Sequence, residues 1–84
     1  MKKNKIFFVE QFMFVKQTLN CLVRNRGAIV SLHQERDSRG CVKIVTEMKL
    51  LEEEITGLVT LFQNRWKQTL IVGSEHGNLV FTIR

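Results

Sequence analysis

Phe8, Phe12, Val15 and Leu19 stand at steps of 4, 3 and 4, and 43 positions later Leu51, Ile55, Leu58 and Phe62 repeat those steps one for one. At about 100° per residue, each set falls on one face of a helix. The spacing predicts helices over residues 6–25 and 51–66. The first carries its stripe on to Leu22 and ends with Arg24 and Arg26 near the negative pole of the helix, where Gly27 offers the left-handed residue that closes it. The second opens on Glu52, Glu53 and Glu54, carboxylates suited to the positive pole, and ends with Arg65 and Lys67. Gly57 lies inside it at a cost of up to about 1 kcal/mol relative to alanine, which close approach of another element would offset.

Each helix is followed by a pair of alternating segments. AIVSLHQ (28–34) runs through ERDSRG into CVKIVTEM (41–48), where Val42, Ile44, Thr46 and Met48 alternate with Lys43, Val45, Glu47 and Lys49. TLIVGS (69–74) runs through EHGN into LVFTIR (79–84), with Leu79, Phe81 and Ile83 on one side. Both links hold the glycine and Asp/Asn chemistry of tight turns. The order is helix, strand, strand, helix, strand, strand, a tandem repeat spanning 6–48 and 50–84 within one domain over 1–84. One unit cannot bury its own apolar face, but two can pool four strands into an antiparallel sheet with both helices on one face. The expected fold is an α+β two-layer sandwich, a ferredoxin-like arrangement with its chain order permuted.

Composition narrows the function classes. The 84 residues are 44% hydrophobic, with no proline and five glycines, which leaves no room for an internal linker. No apolar run nears the roughly 18–20 residues that span a bilayer. The net charge of +5 is uneven: residues 1–43 hold nine Lys/Arg against three acids, and residues 44–84 hold four against five. A basic half can attract phosphate or serve solubility. Lys2, Lys3, Lys5, Lys16, Arg24, Arg26, Arg36 and Arg39 are the candidate phosphate contacts of a nucleic-acid-binding protein, the alternative function.

Motifs for chemistry are missing. Cys21 and Cys41 are too few for the disulfide framework of small secreted domains and form no CxxC; free thiols or one optional bridge are both open. With His33 and His76 they show none of the close pairing of zinc ligands, so no metal site is expected. Asp37 and Ser38 with a histidine would lack an oxyanion hole, and the glycines form neither nucleotide-binding pattern. No catalytic residue, cofactor or small-molecule substrate is expected. The run KKNKIFFVEQFMFV has the lysines and apolar stretch of a signal peptide, but Glu10 and Gln11 interrupt it and no small-residue cleavage site follows.

Two apolar surfaces stay unassigned. Alternation places Ile29, Ser31, His33, Val45, Ile71, Val80 and Thr82 on the sheet face away from the helices, an apolar set for a solvated face. In the front half of the first helix Ile6, Phe7, Val9, Met13 and Phe14 lie off the core stripe. Phe7, Val9, Met13, Phe14, Ile29, Val45, Ile71 and Val80 are therefore the expected partner-binding residues.

AIVSLHQERDSRGCVKIVTEM, a short helix and LIVGSEHGNLVFTIR together resemble the periplasmic domains of inner-membrane assembly-platform proteins of type II secretion and type IV pilus machines. The resemblance covers nearly the whole chain at the level of pattern and topology. It implies a small ferredoxin-like module without catalytic residues or cofactor, which dimerises and contacts sister platform proteins. It further implies a membrane anchor ahead of the module and a place on the periplasmic face of the inner membrane; without such an anchor a cytoplasmic place is expected. The function expected is a non-enzymatic interaction module that homodimerises or pairs with a related protein.

Overall fold

The computed structural model describes residues 2–36, 39 and 42–83, with side chains from Val9 onward. Helix α1 (Lys2–Val23) passes into a 3-10 turn (Arg24–Arg26), followed by β1 (Leu32–Arg36), β2 (Val42–Thr46), α2 (Glu52–Trp66), β3 (Leu70–Glu75) and β4 (Asn78–Ile83). The four strands form one antiparallel sheet in the order β1-β2-β4-β3. Side chains of both helices share one core with one face of that sheet. This is the α+β two-layer arrangement, with the chain order of a permuted ferredoxin-like fold. Among the described residues no helix is long and apolar enough to cross a membrane.

The repeat survives in the burial of the helices: Val15, Leu19, Leu58 and Phe62 of the periodic stripes are fully buried, and the buried row extends from them in steps of four to residues outside the stripes. Among the described side chains Gln11, Val15, Leu19 and Val23 are the buried positions of α1, and Glu54, Leu58, Phe62 and Trp66 those of α2. Each row steps by four, the ridge along which helices pack, and each member of the second lies 43 positions after its counterpart. Phe12, Leu22 and Ile55 are only half-buried, whereas Leu51 is outside α2 as its N-cap and is 48% exposed. The side chain of Phe8 lies outside the described residues.

The first member of each row is polar, and each is held by a residue just past the end of the other helix. Gln11 Nε2 donates to Gln68 Oε1. Arg26 donates to the Glu54 carboxylate from Nε at 2.7 Å and from Nη2 at 2.8 Å. The middle of α1 is thus tied to the end of α2, and the start of α2 to the end of α1, so the two run antiparallel. Burial of an amide and a carboxylate is tolerated because both are bonded.

Helix ends follow local chemistry. Gly27 closes the 3-10 turn at φ 68°, its N–H bonding to Arg24 O, while α2 ends on Lys67 at φ 59°, a left-handed position without a glycine. At the start of α2, Glu54 accepts the Leu51 N–H at 2.8 Å, one half of a capping box whose other half leucine cannot supply.

On the inner sheet face Leu32, Ile44, Phe81, Leu70 and Ile83 meet the helices, and the buried Thr46 is satisfied by donating to Leu79 O at 2.9 Å. The expected first strand over 28–34 begins later. Residues 28–31 form the link that carries the chain from α1 back to the sheet edge, and pairing runs from Leu32↔Thr46 to Arg36↔Val42. The second hairpin is tighter than EHGN predicts: Glu75 pairs with Asn78 across His76 and Gly77, both at positive φ (52° and 82°), as a two-residue turn of this hand requires.

Candidate partner-binding site

The two expected apolar surfaces fare differently. His33, Val45, Val80 and Gly73 form one cross-strand row on the face away from the helices, and Glu35, Lys43, Thr82 and Ile71 form the next. Val45 and Val80 do point outward, but they are 5% and 4% exposed. Charged side chains cover them. Lys43 stands beside Thr82 and Glu75 beside Asn78, so the Lys43 Nζ–Glu75 Oε1 ion pair at 2.9 Å runs diagonally over Val80, the residue between. At the other edge His33 takes Glu35 on Nε2 at 2.9 Å and Glu47 on Nδ1 at 3.2 Å, beside Val45. Two carboxylates on one imidazole favour its charged form, so the His33 pKa is raised and that of Glu35 lowered. The outer face is therefore two valines under ionic straps, and it corrects the expectation of an open apolar sheet surface. Ile29, 84% exposed, is in the link before β1 and not on that face; Ile71, 43% exposed, keeps its expected place.

The flank of α1 carries the stronger site. Val9 is 52% and Met13 43% exposed, one turn apart on the helix. They border a groove of about 280 Å³ whose other walls are Glu10, Phe14, Gln17, Arg65 and Trp66. Phe14 differs from its expected role off the core: it is half-buried and edge-on to Phe62 (centroids 6.1 Å, 70°) and to Trp66 (6.3 Å, 89°). Phe62 and Trp66 are themselves 6.3 Å apart. The groove thus has an aromatic floor and an apolar rim, bordered by Glu10 and by the Arg65 guanidinium 4.1 Å above the Trp66 ring. The side chain of Phe7 lies outside the described residues.

Trp66 and Arg65 are site residues that sequence reasoning passed over. Trp66 continues the row of Leu58 and Phe62 by a further four positions, a signal present in the chain. Exposure of Leu61 at 45% and Val72 at 39% was likewise not foreseen.

The candidate phosphate contacts are spread over several elements. Lys16 and Arg24 are exposed on α1 and the turn after it, Arg36 ends β1, and Arg39 is in the turn between β1 and β2. Arg26 is corrected to a structural residue: besides Glu54 it donates to Lys49 O at 2.8 Å, clamping the approach to α2. Glu54, the one buried member of the acidic triplet, is held by this guanidinium and the Leu51 N–H at a pKa of about 2. The side chains of Lys2, Lys3 and Lys5 lie outside the described residues, as do Asp37, Ser38, Gly40 and Cys41. Cys21 is a free, exposed thiol. Among the described residues no group of three or more His, Cys, Asp or Glu is placed to hold a metal ion.

Compared with known proteins, the chain matches no family model, no curated protein and no solved structure.

Proposed function

We propose that this chain is a non-enzymatic protein–protein interaction module that pairs with a second copy or a related protein through the front of α1. The observation that carries the reading is the groove between Val9, Met13, Phe14 and Trp66, where two large apolar side chains stay exposed around an aromatic floor. Such a cleft accepts one or two apolar side chains of a partner, and aromatic floors of this kind concentrate binding energy. In this reading Glu10 and Arg65 give the cleft a rim of both charges around its apolar centre.

The permuted ferredoxin-like fold is compatible with an assembly-platform component of a secretion or pilus machine. That narrower assignment, with its periplasmic setting, rests on the resemblance in sequence pattern. Nucleic-acid binding draws no comparable support, since Arg26 is committed to Glu54 and Lys49.

Sedimentation equilibrium of the wild-type chain and of Met13→Glu tests the reading. The wild type is expected to self-associate, and Met13→Glu to weaken association by tenfold or more, about 1.4 kcal/mol. Association indifferent to Met13→Glu, or a strictly monomeric wild type at millimolar concentration, would overturn it.

A further inference from the structure

The edges of the sheet are unequal. At one edge β1 reads LHQER and carries His33, Glu35 and Arg36, charges of the kind that block pairing with another strand. At the other, β3 reads LIVGSE, with no charge before Glu75, and Ile71 and Val72 exposed on opposite faces. Among the described residues only β4 pairs with β3. In a two-residue hairpin the residues flanking the turn exchange both main-chain bonds, so Glu75, Gly73 and Ile71 bond to β4. Leu70, Val72 and Ser74 then turn their N–H and C=O groups outward, a ladder that no other strand among the described residues takes up.

We infer that β3 is the docking edge for the β3 strand of a second copy of this chain, added antiparallel across a twofold axis at Ile71. The strand is complementary to itself in this register. Outward-bonding residues must face outward-bonding residues, which sets Leu70 against the partner's Val72 and the reverse, and closes the ladder on both sides. Ile71 then meets the partner's Ile71 at a close, non-hydrogen-bonded pair. Gln68 and Ser74 face one another, so polar residues flank the apolar centre twice. A slip by two residues in one direction puts Ile71 against Gly73 and Leu70 against Ser74, and keeps a single apolar pair, Val72 against the partner's Val72. The result is a continuous eight-stranded sheet, its helices all on one face.

This contact uses the sheet edge, whereas the groove on α1 lies in the helical layer.

Disulfide trapping tests the register. In a Cys21→Ser, Cys41→Ser background, Ile71→Cys brings two cysteines to a pair with Cα atoms about 4.5 Å apart, within bridging range. Ser74→Cys leaves them roughly 20 Å apart at 3.3–3.4 Å per residue. Mild oxidation is expected to link Ile71→Cys chains in high yield and Ser74→Cys chains hardly at all. Sedimentation of Val72→Lys, a charge on the edge at a position 39% exposed, is expected to lose the β3 dimer while Met13→Glu retains it. A chain that is monomeric as Met13→Glu and unlinked as Ile71→Cys would overturn this proposal and leave the groove reading standing. The converse, a dimer lost in Val72→Lys and untouched by Met13→Glu, supports the edge and overturns the groove. Equal linking at positions 71 and 74 would sink the register.

Discussion

Two charged residues give the molecule opposite responses to pH. Glu54 accepts two bonds from Arg26 and one from Leu51, which lowers its pKa from 4.5 to about 2. A carboxylate with a lowered folded pKa contributes stability that is complete above its unfolded value and fades as pH falls from about 4.5 toward 2. Urea midpoints measured across that window should drop in the wild type, and Glu54→Gln should flatten the drop while starting from a lower midpoint at neutral pH. His33 works with the other sign. Its pKa is raised above 6.5 by Glu35 and Glu47, so its contribution is complete below that value and is lost as pH rises through the folded pKa. A titration of the His33 ring followed by NMR should give a midpoint above 6.5, and Glu47→Gln should bring it down.

At the level of elements, the contact between helices turns on Gly57. A Cβ there would sit 3.4 Å from Leu22 Cδ2 and 3.6 Å from Cδ1, the near limit of ordinary contact with a side chain that can shift. Gly57→Ala removes the conformational cost of a mid-helix glycine, so it should stabilise the protein by up to about 1 kcal/mol. For a domain of this size that raises Tm by about 4–8 °C. A larger side chain meets Leu22 before it gains anything, and Gly57→Leu should lower Tm. The glycine therefore admits a close helix pair without needing the smallest possible side chain. Both helices and both hairpins were legible from period alone, with ends misplaced by a few residues. The misplacements have causes: Leu51 takes an extended N-cap conformation, and residues 28–31 must bridge from the end of α1 to the sheet edge.

Across the whole molecule, the need to hide two apolar helix faces and two half-apolar hairpins leads to the pooled four-stranded sheet. That inference uses the pattern within each segment, its repeat after 43 positions and the rule that apolar faces are buried together. Which row of each helix lies deepest depends on the neighbour it packs against, so Gln11 and Glu54 at the head of the buried rows could not be read from the stripe of apolar residues. The groove follows the same logic. Val9 and Met13 stand out in the sequence as apolar surplus, but Trp66 reaches them only because α2 ends beside the front of α1. On the outer sheet face the alternation of Val45 and Val80 was readable, whereas their cover required Lys43 to meet Glu75, 32 positions away and two strands over. Period, turn chemistry and helix ends are local and act on neighbouring residues, so the chain itself carries them. Burial of a side chain, the partner of a charge and the openness of a strand edge depend on what the folded chain brings alongside, and for Val80, Arg26 and β3 that was set only when distant segments met.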